Sequence, residues 1–315
     1  MSASFSHLPA AGLYLYPQGW TDYELLDSGG GEKLERFGPY LFIRPEAQAH
    51  WPRFLEASVW QSAHGRFVAS SEDSAKGGRW QLQKTLPERW EIGFDGLRFT
   101  ALPTAFRHLG FFPEQSVHWR WCAGQIAEFV ARQGRPPQLL NLFAYSGVAS
   151  LHAAAAGAEV THLDASKKAV SMAFDNRNLS GLQEAPIRFI TDDAMGFLQR
   201  EARRGRQYDA IILDPPKYGR GPKGEVWQLE RDLHPLLQAC RALLSDSPLF
   251  VVATLYAVRL SALAAHAALA AGMEGVSGQT ESGEIAIVEN RPAGRAIGQA
   301  LFARWLAAGY GTDQI

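Results

Sequence analysis

At 315 residues, 46% of them apolar and 20% charged, the chain can bury a sizeable core and has the balance of a folded globular protein, which excludes disordered and membrane-embedded classes. A formal net charge of -1 excludes a broad basic surface as the means of holding nucleic acid and leaves at most a local basic patch. Its two cysteines, Cys122 and Cys240, lack CxxC spacing, so neither a disulfide framework nor a cysteine zinc site is indicated.

The opening stretch, MSASFSHLPAAGLYLYP, has no basic start followed by an apolar core, and no later segment reaches the roughly 18 uncharged apolar residues of a spanning helix. A cytoplasmic protein without membrane contact is expected. Tyr23 to Pro45 holds two strand-like runs around Gly29-Gly30-Gly31, and Trp80 to Phe99 repeats the alternation with Asp95-Gly96 as a hairpin signal. From about Ser116 the apolar residues Val117, Trp121, Ile126 and Val130 fall at near-helical spacing, and Pro136-Pro137 is expected to stop that helix. Strands then alternate with helices: 138–143, 159–163, 187–191, 208–213 and 249–254 read as strands. The expected fold class is α/β, a doubly wound Rossmann-like sheet. Two final strand-like runs, joined through Pro292-Ala293-Gly294, predict an antiparallel C-terminal hairpin closing the sheet edge. A small β-rich domain over residues 1–104 is expected to precede the α/β domain of residues 105–315.

Ligands of such sheets sit beyond the carboxyl ends of the strands, at the point where strand order reverses. The first strand and its turn read LLNLFAYSGVASLHAAAAGAEVTHLDAS. A dinucleotide site needs G-x-G-x-x-G, but this window holds only Gly147 among Ala144, Ser146 and Ala149. S-adenosylmethionine carries no phosphate and asks only for close backbone passage, here at Ala144 to Gly147. Asp164, about twenty residues on, can accept both ribose hydroxyls. Asp192 and Asp193 follow the third strand, where one carboxylate can accept from an adenine amino group. Taken singly, Gly147 is ordinary turn chemistry and Asp164 an ordinary helix cap. Together, carboxylates at the ends of three strands along one edge are costly unless something cationic lies between them, as a sulfonium and amines would.

The fourth strand ends in Asp214-Pro215-Pro216-Lys217-Tyr218. The prolines stiffen the segment and leave outward carbonyls, and stiff acceptors beside a carboxylate suit an amine or a base edge. A Pro-Pro pair can simply end a strand, but that leaves the terminal Asp214 unexplained. In amino-methyltransferases the related pattern Asp/Asn-Pro-Pro-aromatic holds an exocyclic amine. Here Lys217 stands in the aromatic position and Tyr218 follows it.

The segments HLGFFPEQSVHW, LLNLFAYSGVASLHAAAAGAEVTHLDASKKAV and ITDDAMGFLQREARRGRQYDAIILDPPKYGRG resemble the class I S-adenosylmethionine-dependent methyltransferases related to the bacterial 23S rRNA cytosine-C5 methyltransferases, over roughly residues 105–305. ERFGPYLFIRPEAQAHW resembles part of that family's small β domain. The resemblance implies that Phe112 and Gln115 border the cofactor, that Ala144, Tyr145, Ser146 and Gly147 flank its methionine part, and that Asp164, with Ala165 and Ser166 after it, holds the ribose. It also implies that Asp193, followed by Ala194, takes the adenine. Asp214 would stand at the methyl-accepting end, with Pro215, Lys217 and Tyr218 as its catalytic companions.

One departure bears on the chemistry. Cytosine-C5 transfer needs a thiolate at the carboxyl end of the fourth or fifth strand, and neither DPPK nor VVATLYAVRLS, with its Thr254 and Tyr256, supplies one. The expected activity is methyl transfer from S-adenosylmethionine to RNA, with a nitrogen acceptor favoured over cytosine C5. The alternatives are a nicotinamide-dependent oxidoreductase and a non-catalytic RNA-binding module on the same fold. His108, His118, His152, His162 and His234 show no HExxH or paired spacing, and no metal is expected. The basic run Arg200 to Arg206 reads as a solvated helix end, while Lys217, Arg220 and Lys223 could form a phosphate-contacting lip. Glu225-Val226-Trp227 reads either as a helix start or as a lid whose tryptophan stacks on a substrate base.

Overall fold

The computed structural model describes residues 13–70, 77–256 and 259–311. Residues 1–12, which carry most of the stretch read for a targeting signal, lie outside the described residues. After β1 (Leu13–Leu15) come β2 (Tyr23–Gly29), β3 (Glu32–Phe37), β4 (Tyr40–Pro45), the short helix α1 (Ala57–Gln61), β5 (Gly65–Ala69) and β6 (Gly78–Leu82). Strands β2 to β6 form a five-stranded sheet in chain order. A separate hairpin joins β7 (Trp90–Phe94) to β8 (Leu97–Ala101). Its turn residues Asp95 and Gly96 have φ of 48° and 80°, the primed geometry that Asp-Gly favours.

Helix α2 (Ser116–Gln133) follows a 3-10 turn, Pro113–Gln115. It stops earlier than the proline pair: Gly134 adopts the left-handed conformation and its N–H caps the Val130 carbonyl at 3.0 Å. The chain then alternates through β9 (Gln138–Leu142), α3 (Val148–Ala155), β10 (Glu159–Asp164), α4 (Lys167–Leu179), β11 (Ile187–Thr191), α5 (Ala194–Arg203) and β12 (Ala210–Leu213). A small hairpin, β13 (Tyr218–Arg220) with β14 (Val226–Gln228), leads into α6 (Leu229–Arg241), β15 (Phe250–Leu255), α7 (Ala262–Gly272), β16 (Gly278–Val288) and β17 (Ala296–Ala307).

The large sheet has the order β1-β16-β17-β15-β12-β9-β10-β11, parallel except where β17 pairs with its neighbours. β12 and β15 are buried along their whole length, as central parallel strands covered on both faces must be. This is the Rossmann-like α/β sheet with its antiparallel C-terminal hairpin, preceded by β-rich chain. One expectation is corrected: the hairpin does not close the edge, because β1 adds outside it, parallel to β16, with Leu13 opposite Gly283. A side chain at position 283 would put a Cβ 1.9 Å from the Leu13 carbonyl oxygen, so only glycine admits that approach.

The N-terminal sheet and the large sheet share an apolar cluster. Phe37 and Phe42, Phe94 and Phe99, Trp119 of α2, and Ile287 and Ile297 of the last hairpin pack together. Beside it lies a buried polar hub: Arg295 donates to Asp27 at 2.9 Å, to Glu289 at 2.9 Å and to the Pro52 carbonyl at 2.8 Å. Asp27 also accepts from the Trp60 indole at 2.9 Å, and Ser28 donates to Glu289 at 2.6 Å.

Candidate active site

Strand order reverses around β9, which has β10 on one side and β12 on the other. The turn after β9 is unusual for its side chains: Phe143, Tyr145 and Gly147 have φ of 56°, 47° and 84°. Left-handed conformations at two bulky residues are strained and persist only where the surroundings fix them. Here the Ala144 N–H bonds the Leu163 carbonyl at 3.0 Å, and the Tyr145 N–H bonds Asp164 Oδ2 at 2.9 Å. Asn176 of α4 donates to the Ser146 carbonyl at 2.9 Å and accepts from the Thr100 N–H at 2.9 Å, tying the turn to β8. Gly147 begins α3, and a Cβ there would meet the Ala173 Cβ at 2.7 Å.

Asp164 ends β10 and accepts the Ser166 N–H at 2.8 Å as well as that of Tyr145. Burial pushes its pKa up, opposed by those two backbone donors. Ser166, not Asp164, caps α4 through its side chain. Asp214 directly follows β12, and its Oδ2 accepts from Gln115 Nε2 at 2.7 Å. Burial pushes Asp214 up to about 8; the Gln115 hydrogen bond works against this, and the Glu114 and Asp164 carboxylates add to it. Neither Asp164 nor Asp214 forms an ion pair among the described residues. Two largely buried carboxylates at the same edge of the sheet therefore lack a cation, and Asp214 lines a pocket there.

That pocket is lined by Phe112, Gln115, Phe143, Ala144, Tyr145, Ser146 and Asp214, among others. A cavity of about 670 Å³ opens at the opposite, amino edge of the sheet, but its buried Glu201 is already engaged by Tyr208 at 2.8 Å and Arg204 at 2.9 Å. The carboxyl-edge pocket is smaller and is the one with unmatched charge.

The other candidate residues divide. Ala165 and Ser166 follow Asp164 at the end of β10. Asp193 caps α5, its Oδ2 accepting the Gly196 N–H at 2.8 Å, with Ala194 as the first helical residue, while Asp192 pairs with Arg200. Pro215 is buried, and Lys217 and Tyr218 start the β13–β14 hairpin, with Tyr218 62% exposed. Neither expectation for Trp227 holds. It lies in β14, buried against Phe143 with ring centroids 5.1 Å apart, and its indole N–H donates to the Pro216 carbonyl at 2.6 Å. A stacking lid is thereby excluded for this ring.

Sequence reasoning missed Glu114 and the part played by Tyr256. Glu114 is buried in the turn before α2 and accepts from the Tyr256 hydroxyl at 3.0 Å. Position was the available signal, since Tyr256 directly follows β15 at the same edge as Asp214. Cys122 and Cys240 are buried within α2 and α6, with burial pushing both thiols up to about 12. No group of three or more potential metal ligands occurs among the described residues, and no helix there is long and apolar enough to cross a membrane.

Residues 46–255 match the family of S-adenosylmethionine-dependent methyltransferases. The chain belongs to that family. The match crosses the division expected at residue 104. This methyltransferase is 46% identical to a solved SAM-dependent methyltransferase from Agrobacterium tumefaciens, with 95% of each chain covered and a TM-score of 0.88. A SAM-dependent methyltransferase from Streptococcus mutans, 16% identical over 92% of this chain and 76% of that one, has a TM-score of 0.69 and is alike in fold alone. Among curated relatives, ribosomal RNA large subunit methyltransferase K/L of Shewanella frigidimarina is 29% identical over 186 residues, which is 58% of this chain and 25% of the relative. The protein of the same name from Hahella chejuensis is 31% identical over 183 residues, 57% of this chain and 24% of that one. The methyltransferase thus spans about a quarter of the length of those relatives. Its cofactor is S-adenosylmethionine, which displaces the nicotinamide alternative. The chemistry of the carboxyl edge suits that cofactor, since Asp214 and the backbone of residues 143–146 line its pocket, Asp164 ends the neighbouring strand, and neither carboxylate has an ion pair among the described residues.

Proposed function

We propose that this methyltransferase acts on RNA in the cytoplasm and that its acceptor is a nitrogen. The observation that carries the acceptor end is Asp214, a largely buried carboxylate pushed up to about 8, positioned by Gln115 and followed by the buried Pro215. S-adenosylmethionine supplies a methyl group already activated by its sulfonium. The protein's share of the work is then positioning. Asp214 and the Pro215 carbonyl accept from the N–H groups of the acceptor and aim its lone pair. The Pro216 carbonyl is committed to Trp227 and takes no part. We assign Ala144 to Gly147, with Phe112 and Gln115, to the methionine side, Asp164 with Ala165 and Ser166 to the ribose, and Asp193 with Ala194 to the adenine. Lys217 and Tyr218 flank the acceptor. RNA as substrate is supported by the names of the curated relatives, and a nitrogen acceptor by the two thiols being buried within α2 and α6, where burial pushes both up to about 12. We further assign residues 1–104 to a small β-rich domain and residues 105–315 to the catalytic one.

Tritiated methyl transfer into cellular RNA, protein and small-molecule fractions, with mass spectrometry of the labelled fraction, tests the substrate class. Label in an N-methylated base of RNA is expected; label confined to protein or small molecules, or found at cytosine C5, overturns the proposal. Calorimetry tests the cofactor side: Asp164→Ala is expected to weaken S-adenosylmethionine binding by about tenfold or more, since it removes a charge-assisted acceptor and frees the Tyr145 and Ser166 N–H groups. Unchanged affinity overturns the assignment of Asp164.

A further inference from the structure

Aromatic rings run in contact from the protein surface to the acceptor end of the site. Phe106, 51% exposed, stacks on His108 with centroids 5.8 Å apart and planes inclined by 21°. His108 meets Phe112 at 5.2 Å and Tyr145 at 5.2 Å, and Phe112 meets Tyr256 at 5.2 Å. The Tyr256 hydroxyl then donates to Glu114, whose neighbour Gln115 holds Asp214. The Thr104 and Tyr145 hydroxyls lie 3.3 and 3.4 Å from His108 Nδ1 and orient its ring. Burial, with Arg44 and Arg107 nearby, lowers His108 to about 4, so at neutral pH it presents an uncharged aromatic face.

The track touches the turn after β9 and the end of β15. The methionine assignment takes the inner rings Phe112 and Tyr145, and Asp164 and Asp193 stand at the ends of β10 and β11 on the other side of that turn, so the cofactor assignments leave the outer pair, Phe106 and His108, unused. Phe106 keeps half its surface in water at the outer end of this chain of ring contacts, of which only its own pairing with His108 is stacked. Beyond Asp214 in the chain, Lys217, Arg220 and Lys223 accompany the exposed Tyr218, on a protein with no excess of positive charge overall.

We propose that the track is the docking path of a single-stranded RNA segment. An unpaired base beside the methylated one stacks on the exposed ring of Phe106, which His108 backs from within, while Lys217, Arg220 and Lys223 meet the phosphates. Unpaired bases expose the π-faces such a track needs, whereas a duplex buries them. This inference rests on RNA being the substrate.

The test uses the full chain and a short fluorescein-labelled RNA, either single-stranded or annealed to its complement, read by anisotropy, with S-adenosylmethionine affinity measured in parallel by calorimetry. The single strand is expected to bind more tightly than the duplex. Phe106→Ala is expected to weaken single-strand binding by about tenfold, Phe106→Trp to restore it, and both to leave cofactor affinity unchanged. Undiminished RNA binding by Phe106→Ala, or equal binding of duplex and single strand, overturns the track and leaves RNA as substrate standing. A loss of cofactor affinity in Phe106→Ala assigns the ring to the cofactor and also overturns it. If the wild type binds cofactor but neither form of RNA, the RNA substrate falls and the track falls with it.

Discussion

Asp214 is costly to charge in the free protein because it is buried, and because Glu114 and Asp164 lie near it while only the Gln115 amide offers relief. With a pKa of about 8 it is protonated at pH 7, and a cationic ligand favours its ionised form. Binding of S-adenosylmethionine at pH 7 should therefore release close to one proton, about 0.9 by titration arithmetic, and affinity should rise with pH up to about 8. Calorimetry in buffers of different ionisation enthalpy measures this; no proton release in the wild type would remove Asp214 from the cofactor's field. The same group acts on stability. Its folded pKa lies above the unfolded value of 3.8, so the folded state holds the extra proton, and stability declines as pH rises from about 4 to 8. Asp214→Asn should abolish that decline and stabilise the cofactor-free protein at pH 7 by about 1 to 3 kcal/mol, with little difference at pH 4, in chemical denaturation.

The turn after β9 owes its shape to contacts made by other elements. Gly147, a lone glycine in the sequence, has two reasons to be glycine: φ of 84° and the approach of Ala173 from α4. Gly147→Ala should destabilise the protein by about 1 to 3 kcal/mol and weaken cofactor binding with it, measured by denaturation and calorimetry together. An equally stable variant would mean that α4 yields. The alternating βα units, the Asp95-Gly96 hairpin and the last hairpin were legible because their signals are local: apolar period, turn residues, run length. β1 was not, since a three-residue strand is recognised only by the partner it finds in β16. Nor was the β13–β14 hairpin, where Trp227 is held by Pro216 and Phe143 rather than by any periodic pattern. Within the site, Asp164 and Asp214 could be read from strand ends. The pairs Gln115–Asp214 and Glu114–Tyr256 join residues 99 and 142 positions apart, and no local pattern announces them.

Across the whole molecule, Arg295 holds the N-terminal sheet to the last hairpin by satisfying two buried carboxylates, Asp27 and Glu289. Burial alone would raise Glu289, but the hydrogen bonds from Arg295 and Ser28 bring it down to about 2, below its unfolded 4.5. Its stabilisation is therefore complete above about pH 4.5 and is lost as pH falls toward 2, the reverse of the Asp214 slope. Arg295→Ala should cost about 3 kcal/mol at pH 7 by removing the cation on Asp27 and leaving Glu289 to Arg291 and Ser28 alone, and should flatten the acid limb of a stability profile. A variant as stable as the wild type would show that the hub is dispensable. The same hub has a bearing on synthesis. Ser28 meets Glu289 across 261 residues, and β1 waits for β16 across a similar length. A ribosome thus releases the first sheet long before the strands that anchor it exist, and a nascent chain should stay protease-sensitive in that sheet until the last hairpin has left the exit tunnel.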